Sequence, residues 1–518
     1  MTLPDTRADR LVVRSSLRIG PDPRRVIIKL FVPGEDAPPY GSRAAAVINR
    51  VMSMDEATVK SVLTDTMHRF AARHRDLADT FADHFDSISH RLDSAARPSR
   101  ERRQLIGAYF SHEYAIEGAA LCNPSIVAHP DQDGLLPGQL RFILSVRAVG
   151  EGHISSVGFR TGVIGPGDRL ELDEPGPYPA TGRHHRVLCD RALFDGILAE
   201  EGHDDELAAF LRRNLSPRFT GDELDRALAA LHPQLFTRLS AHHTVERIHE
   251  IAANNYVVEF PADSALDERV LWPVGRSESH GMEDARFVRF TEPDAAPVYY
   301  ATYTAYDGRH IAPQLLETSD FRTFRASQLT GAAAANKGMA LFPRKVGGSY
   351  LALSRHDRES NALTASSDPH IWPAPRILQT PGQPWGLVQL GNCGPPIETE
   401  AGWLVLTHGV GPMRSYALGA MLLDLHDPYR VVAALPEPLI IPQEDERDGY
   451  VPNVVYSCGA LVHQDTLILP YGTSDTRIAF ARIRLLALIE RLQAARRTYG
   501  ATTQTAALED ERGTARKA

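Results

Sequence analysis

Two adjacent acidic residues, Glu283 and Asp284, are the part of the chain best suited to acid–base chemistry. A glycine stands two positions before them, where it permits a tight turn, and residues 286–290 have the composition of a strand. Neighbouring side chains of a strand point to opposite faces. The pattern therefore predicts that one carboxylate faces a site while the other pairs with Arg286 or His280. Taken alone, the stretch also fits an exposed acidic turn that enters a strand.

Several other predicted strands end in polar or aromatic residues beside glycine. These strand ends are residues 122–125, Arg147, residues 303–308, residues 336–338, Arg355, residues 391–396, His408 and residues 471–476. In an all-β scaffold such ends form the rim where sites usually lie. Carboxylates and amides bind hydroxyl groups, and aromatic faces pack on sugar rings, so this mixture indicates a carbohydrate site. Lys337, Arg355 and His408 can together hold an anion, although a surface role is the alternative for each alone.

Composition excludes several classes of protein. The chain has 518 residues, 43% hydrophobic and 23% charged, which is ordinary for a globular protein and too long for one core. A net charge of −9 argues against a general nucleic-acid or anionic-membrane surface, while a local basic pocket remains open. The four cysteines are scattered, so neither a zinc site nor a disulfide framework is expected. Without a long apolar run or a signal peptide, we expect a cytoplasmic protein that binds no membrane.

The hydrophobic pattern divides the chain into three regions. Residues 1–115 predict an α-rich N-terminal extension with a small β element, including a helix capped by Asp55. Residues 116–485 contain many short strands at near-regular spacing, which predicts an all-β sandwich, barrel or propeller. Residues 486–518 predict a C-terminal helix and a polar tail that we expect to be disordered.

A helical block at about residues 186–253 interrupts the strands, and its leucines recur at helical spacing. We interpret it as an inserted helical lobe. Paired histidines occur at its edges, but no carboxylate or cysteine stands at ligand spacing, so no metal site is predicted there.

Taken together, these motifs resemble glycoside hydrolase family 130, which contains inverting mannoside phosphorylases and β-mannosidases. The resemblance covers roughly residues 122–483. It rests on the order and spacing of Gly-Met-Glu-Asp-Ala-Arg, Asn-Lys-Gly-Met-Ala-Leu-Phe-Pro, Gly-Asn-Cys-Gly-Pro-Pro-Ile-Glu-Thr-Glu-Ala-Gly-Trp-Leu, Thr-His-Gly-Val and Tyr-Gly-Thr-Ser-Asp-Thr. The family fold is a five-bladed β-propeller. We therefore expect a mainly β protein in which residues 116–485 form such a propeller, with the N-terminal extension and the helical insertion added to it.

The resemblance implies that Asp284 is the catalytic acid, because it falls on the aspartate of the family's Glu-Asp-Pro-Arg motif. Ala285 replaces the usual proline. In the mechanism proposed for family phosphorylases, this acid protonates the leaving oxygen through a hydroxyl of the mannose, and phosphate attacks the anomeric carbon from the opposite face. One carboxylate is enough, because phosphate is already an anionic nucleophile that needs only cationic positioning. Inverting hydrolysis needs a second carboxylate, roughly 6.5–9.5 Å away, to activate water.

Phosphate-binding residues of the family fall on Lys337, Arg355 and His408. A lysine that is usual in the family falls on Gln389, which has no charge. The missing cation implies weaker phosphate binding and leaves hydrolysis open. The remaining substrate contacts implied by the resemblance, with the neighbours of the acid, are Asn123, Ser125, Arg147, Glu283, Arg286, Tyr303, Asp307 and Asp475. Of these, Asp475 is expected to bind hydroxyls of the mannose at the cleavage site.

Three functions stay open at this point. The first is a phosphorylase that cleaves a β-linked mannoside, β-1,2 before β-1,4-mannosyl-glucose, and releases α-mannose 1-phosphate. The second is a phosphate-independent β-mannosidase in which Glu283, Glu398 or another carboxylate activates water. The third is a non-catalytic glycan-binding propeller. We expect inorganic phosphate as co-substrate, no metal or organic cofactor and no nucleic-acid partner, and the helical additions offer surfaces for a homo-oligomer.

Overall fold

The computed structural model describes residues 11–34, 42–93, 95–203, 206–231 and 239–495. Within these residues the chain is mainly β. The polar tail expected beyond residue 495 lies outside the described residues. Among the described residues, no helix combines the length and apolar character that a membrane-spanning segment needs.

The N-terminal region packs four helices beside a two-stranded sheet. These elements are β1 (Val12–Ile19), β2 (Val26–Leu30), α1 (Arg43–Met52), α2 (Glu56–Phe70), α3 (Leu77–Ile88), α4 (Arg100–Tyr109) and β3 (Ser111–Ala115). The carboxylate of Asp55 accepts a hydrogen bond from the backbone N–H of Thr58, which confirms the predicted cap of α2. Leu63, Phe81 and Leu105 contribute to one apolar core between the helices. β2 pairs antiparallel with β3.

β1 does not belong to this N-terminal sheet. It pairs antiparallel with β30 (Arg477–Arg484), the last strand in the described residues, with Val12 opposite Ile483. The sequence pattern predicts that the first two strands form one small β element. In the structure they have different partners, since β1 pairs with β30 and β2 pairs with β3.

Five antiparallel groups of strands follow in the described residues. Group one contains β4 (Ala120–Ala128), β5 (Leu140–Val149), β6 (Ser155–Ile164) and β7 (Leu170–Leu172). Group two contains β14 (Gly281–Phe290), β15 (Val298–Tyr306), β16 (Ile311–Thr318) and β17 (Thr323–Gln328), extended by β12 (Tyr256–Glu259) and β9 (Arg183–Arg186). The short strand β13 (Arg269–Leu271) pairs with β6, and β8 (Ala180–Thr181) pairs in parallel with β13. Groups one and two meet where Gly281 of β14 runs parallel to Ser155 of β6.

The other three groups come from the second half of the chain. Group three contains β18 (Ala340–Leu341), β19 (Tyr350–Ser354), β20 (Asn361–Ser366) and β21 (Arg376–Gln379). Group four contains β22 (Gln389–Asn392), β23 (Ile397–Thr399), β24 (Gly402–Val410), β25 (Tyr416–Leu423) and β26 (Val431–Ala434). Group five contains β27 (Val455–Tyr456), β28 (Leu461–His463), β29 (Thr466–Thr473) and β30 (Arg477–Arg484), with β1 at its edge. Residues 485–495 are helical and bury Leu488 and Leu492.

Successive groups share apolar cores. The shared cores contain Phe159 with Phe287 for groups one and two, Val288 with Leu341 for two and three, Leu353 with Trp403 for three and four, Leu404 with Leu467 for four and five, and Phe480 with Leu144 for five and one. The fifth group therefore packs back against the first.

The helical insertion lies between groups one and two in the sequence. It contains β10 (Cys189–Asp190), α5 (Arg191–Glu200), α6 (Glu206–Asn214), β11 (Arg218–Phe219), α7 (Gly221–Ala229) and α8 (Leu239–Ala253). It has its own core, in which Phe194, Leu211 and Ile248 are buried. A polar contact ties it to group two, because Gln328 donates to Glu201, which also binds Arg247.

Candidate active site

The two adjacent acids lie at a bulge in β14. The register of β14 against β15 shifts between Glu283 and Arg286, and Asp284 has a φ of 57°, in the left-handed region that few non-glycine residues adopt. Both carboxylates consequently reach Arg147, whose Nη2 lies 2.7 Å from Glu283 Oε1 and whose Nη1 lies 3.5 Å from Asp284 Oδ1. Asp284 lines the cavity described below and Glu283 does not, so one carboxylate faces the site as predicted. The predicted partner of the other is wrong, because Glu283 pairs with Arg147 and not with Arg286 or His280.

A second bulge lies opposite the first. The register of β4 against β5 shifts between Cys122 and Ser125, and Asn123 within it has a φ of 49°. Its Nδ2 donates a 2.6 Å hydrogen bond to Oδ1 of Asp284. Asp475, in the turn between β29 and β30, also has a positive φ of 47°. Strained backbone of this kind concentrates at functional sites, and here it directs three polar side chains toward one cavity.

That cavity has a volume of about 220 Å³. Its lining includes eight residues singled out from the sequence, which are Asn123, Arg147, Asp284, Lys337, Arg355, Gln389, His408 and Asp475. It also includes five residues that the sequence did not single out, which are Arg414, Tyr416, Val451, Val454 and Tyr456. The lining is therefore mainly polar and charged, as a site for a hydroxylated, anionic ligand requires.

Positive charges control the ionisation of Asp284. Burial by itself raises the pKa of this carboxyl, but the charges of Arg147, Lys337 and Arg286, with the hydrogen bond from Asn123, outweigh it and hold the pKa below its usual value. In this arrangement Asp284 is a carboxylate at neutral pH.

Asp475 behaves differently although it lines the same cavity. Burial raises its pKa to about 6, against the opposing charge of Arg147. The neighbouring charge of Asp284 adds to the rise. The cavity thus holds two carboxyls with different pKa values: that of Asp284 is below its usual value, and that of Asp475 is about 6.

Glu283 holds two cations in place. Its Oε2 lies 2.5 Å from Lys337 Nζ, and its Oε1 accepts the hydrogen bond from Arg147 already described. Glu283 is buried and does not line the cavity itself. Lys337 and Arg147 therefore share one negative charge before any ligand binds.

His408 is a neutral link between Arg355 and Gln389. Its Nδ1 lies 3.2 Å from the carbonyl oxygen of Asn392, which can only accept, so Nδ1 carries the proton. Its Nε2 then accepts from Arg355 Nη1 at 3.2 Å and from Gln389 Nε2 at 3.3 Å. Burial, followed by the charges of Arg355 and Arg286, lowers the pKa of His408 well below its usual value. This differs from the sequence-based interpretation of His408 as a cation that binds phosphate.

Glycine at position 391 makes room for this arrangement. Gly391 pairs with His408 across β22 and β24. A Cβ added there would lie 2.3 Å from Cε1 of His408 and 3.2 Å from Cδ of Arg355. Because neither ring nor guanidinium stem has space to retreat in a packed interior, the position needs a residue without a side chain.

Arg286 lies behind the cavity rather than on its surface. It is buried, and its Nη2 donates a 2.6 Å hydrogen bond to the hydroxyl of Tyr456. Within the described residues its Nε has no hydrogen-bond partner. Arg286 therefore acts on the site through its charge, and the structure does not place it as the substrate contact that the resemblance implies.

Three further residues are not brought to the cavity. Ser125 is fully buried, and its Oγ accepts from the backbone N–H of Phe287. Asp307 closes a turn, since its Oδ1 accepts from the backbone N–H groups of Arg309 and His310. Tyr303 is buried and donates its hydroxyl proton to Glu278. Strand-end position identified these residues, but the side-chain direction at each of them was not readable from sequence.

Replacing Tyr303 with phenylalanine is expected to lower the free energy of unfolding by about 1–3 kcal/mol, because the buried carboxylate of Glu278 loses one of its donors. The remaining donors are the hydroxyl of Tyr256 and the backbone N–H groups of Val274 and Gly275. Urea denaturation measures the change. If the variant instead shows a tenfold rise in substrate KM with no loss of stability, Tyr303 contacts the substrate as the resemblance implies.

Two tyrosines that the sequence did not single out surround His408. The ring of Tyr416 stacks parallel to it at 6.1 Å between centroids, and the ring of Tyr456 meets it edge-on at 4.9 Å. Tyr416 begins a strand shortly after the Gly-Pro loop that follows His408. Its closeness in sequence to His408 was the one sign that it could belong to the site.

Within the described residues, no group of three or more histidine, cysteine or acidic side chains is arranged to hold a metal ion. Glu398, considered as an activator of water, lies outside the cavity and forms a two-contact ion pair with Arg344.

Comparison with known proteins gives consistent relatives. A family model described as beta-1,4-mannooligosaccharide phosphorylase matches residues 247–493. A 1,2-beta-oligomannan phosphorylase from Thermoanaerobacter sp. (strain X514) is 33% identical over 225 residues, covering 42% of this chain and 74% of that protein. A beta-1,2-mannobiose phosphorylase from the same organism is 35% identical over 222 residues, covering 42% and 72%. A match to a solved structure of beta-1,2-mannobiose phosphorylase from Listeria innocua covers 74% of this chain and 93% of that chain, at 22% identity and a TM-score of 0.44.

Proposed function

Because this chain belongs to glycoside hydrolase family 130, we propose that it is an inverting phosphorylase that cleaves a β-linked mannoside with inorganic phosphate and releases α-mannose 1-phosphate. It is an enzyme that acts on β-mannosides. The observation that carries the finer proposal is the single cavity in which Asp284 and the cations Lys337 and Arg355 are all exposed to one ligand.

The names of the relatives support one linkage as the first to propose. Both Thermoanaerobacter proteins are named for β-1,2 linkages, so a β-1,2-linked mannoside is the first substrate that we propose. A β-1,4-linked mannoside, which the description of the family model specifies, is the second.

We also propose that the five strand groups are the blades of a five-bladed β-propeller. The shared apolar cores support this arrangement, since each group packs on the next and group five packs on group one. The cavity residues come from groups one to five, as expected for a site at the centre of such a ring.

In the proposed reaction, Asp284 gives its proton to the leaving oxygen, through a mannose hydroxyl, while a phosphate oxygen attacks the anomeric carbon from the opposite face. The C–O bond to the leaving sugar breaks, the bond to phosphate forms, and the β configuration becomes α. Lys337 and Arg355 position the phosphate, and Asn123 and Asp475 bind hydroxyls of the mannose. The protein's own cations supply the charge stabilisation, so we propose that no metal or organic cofactor takes part.

Phosphate binding also solves a difficulty with the acid. Asp284 must be protonated to act, whereas Arg147, Lys337 and Arg286 hold its pKa low. A phosphate anion beside these cations offsets their field and raises the pKa of Asp284. Binding of the nucleophile and uptake of the proton are thereby linked, and the acid becomes competent only when phosphate is present.

One observation favours a second candidate, a phosphate-independent β-mannosidase. Asp475 is the other carboxyl that lines the cavity in the described residues, and above its pKa of about 6 it is a base. If it lies on the opposite side of the sugar from Asp284, it can activate water in the manner of an inverting hydrolase.

Incubation with β-1,2-mannobiose, with and without inorganic phosphate, tests the proposal. We expect mannose 1-phosphate and mannose with phosphate, and no turnover without it. Free mannose at equal rates in both reactions would establish the hydrolase. Absence of both products across β-1,2- and β-1,4-mannosides, with retained sugar binding, would leave a glycan-binding protein. An Asp284→Asn preparation controls for contaminating glycosidase.

The titration of Asp475 predicts the acid side of the pH profile. Its ionised form binds hydroxyls best, so kcat/KM for the mannoside is expected to fall about tenfold per unit as pH drops below about 6. The Asp475→Asn enzyme has a lower kcat/KM and lacks this dependence, whereas Asp307→Asn, outside the cavity, keeps it. A wild-type profile that stays flat between about pH 5 and 7 would contradict the assignment.

A further inference from the structure

The loop between β24 and β25 has an unusual backbone. Met413 and Arg414 are consecutive non-glycine residues with φ values of 57° and 54°. The side chain of Met413 projects into solvent and is 90% exposed. Arg414 instead lines the cavity. Left-handed conformations of this kind persist where the surrounding structure or the function requires them. Here the conformation places the guanidinium of Arg414 at the cavity.

Among the cations at the cavity, Arg414 differs in its partners. Arg147 and Lys337 are bound to Glu283, and Arg355 donates to His408. Within the described residues, Arg414 makes neither a hydrogen bond nor an ion pair. Its charge is nevertheless felt in the cavity, because it lowers the pKa of Asp475 against the larger effect of burial.

Strand pairing places this arginine close to Gln389. Val410 pairs with Gln389 on one side and with Tyr416 on the other. Residues 411–415, which include Arg414, form the loop between β24 and β25, and this loop begins directly after the residue that pairs with Gln389. Arg414 and Gln389 both line the cavity.

We propose that Arg414 contacts the phosphate and supplies the positive charge that the uncharged Gln389 does not. The proposal rests on the proposed function and goes further, since it adds a residue from a different loop. Lys337 shares the single negative charge of Glu283 with Arg147, and His408 is neutral. Among the described residues, Arg355 is therefore the one cation of the predicted phosphate set that no carboxylate contacts. A partnerless guanidinium on an exposed loop can turn toward the anion and bind two of its oxygens.

The test compares Arg414→Gln and Arg414→Lys with Met413→Gln, a matched change at the neighbouring exposed position. Arg414→Gln is expected to raise the phosphate KM by about ten- to a hundredfold, the loss of one charge-assisted contact, with the mannoside KM changed less than twofold. Arg414→Lys loses less, because a charge remains. Met413→Gln behaves as wild type. An unchanged phosphate KM in Arg414→Gln would overturn the proposal.

A second variant moves the charge instead of removing it. In Arg414→Gln/Gln389→Lys, a cation returns to the cavity from β22, and the phosphate KM is expected to recover at least tenfold relative to Arg414→Gln. Failure of the double variant to recover, while Gln389→Lys alone strengthens phosphate binding, would show that Arg414 acts by shaping the loop, and would overturn the proposal.

Calorimetric titration of the sugar-free proteins with inorganic phosphate separates this inference from the proposed function. If the wild type binds phosphate but makes no mannose 1-phosphate, the proposed function fails. The phosphate affinities of the wild type and of Arg414→Gln then decide whether Arg414 contacts phosphate. If the wild type binds no phosphate at millimolar concentration, the inference fails. Tighter binding by wild type than by Arg414→Gln supports it.

Discussion

Replacing Asp284 with asparagine is expected to lower kcat for phosphorolysis by about a thousandfold, within the range that general acid catalysis contributes. Asparagine has nearly the same shape, and its carbonyl oxygen can still accept from Asn123, so binding of the mannoside should persist. What it lacks is the proton for the leaving oxygen, which matters in the transition state alone. Steady-state kinetics at saturating phosphate, with calorimetry for mannoside affinity, measures both quantities.

Asp307→Asn is the matched control, because Asp307 closes a turn outside the cavity. It should retain wild-type kcat. A mannoside with a phenolic leaving group of low pKa needs little protonation, so on such a substrate Asp284→Asn should lose far less activity. If Asp284→Asn keeps more than a tenth of wild-type kcat on mannobiose, another group donates the proton.

Replacing Arg355 with glutamine is expected to raise the phosphate KM by about a hundredfold, with a smaller effect on the mannoside KM. Arg355 lines the cavity and donates from Nη1 to His408. Within the described residues its Nη2 makes no hydrogen bond, so this group can donate to an anion. Loss of a charged contact with phosphate costs about 1.5–3 kcal/mol. Initial rates over a wide range of phosphate concentrations measure it.

Arg344→Gln provides the control, since Arg344 pairs with Glu398 outside the cavity and should leave the phosphate KM unchanged. Removal of Arg355 also removes one of the charges that lower the pKa of His408. An equal loss of rate at all phosphate concentrations, with unchanged KM, would mean that Arg355 only holds His408 in position.

The motifs singled out eight residues that line one cavity, because strand ends beside glycine gather polar residues whatever the details of pairing. They did not reveal which way side chains point. Alternation along a strand is a local rule, and the bulges at Asn123 and Asp284 depend on partner strands far away in the sequence. For the same reason the sequence predicted Tyr303 as a substrate contact, whereas its hydroxyl donates to the buried carboxylate of Glu278.

Charge state was equally hidden from the sequence. His408 is basic as a free residue, but its burial and its contact with Asn392 make it a neutral acceptor. Arg414 follows a Gly-Pro-Met loop that carries no motif. The role that we propose for it depends on the pairing of β22, β24 and β25, which places its loop next to the strand that carries Gln389.

The ladder between β1 and β30 has a bearing on how the chain folds during synthesis. β1 leaves the ribosome long before β30, so the ladder between them cannot form until residue 484 has emerged. Bringing such distant segments together is slow, because loop closure must precede the contacts that stabilise it. Until β1 docks, β30 presents an unpaired edge that invites association with other chains. Since Asp475 lies in the turn leading into β30, the candidate active site also lacks one of its carboxyl groups until that turn has emerged.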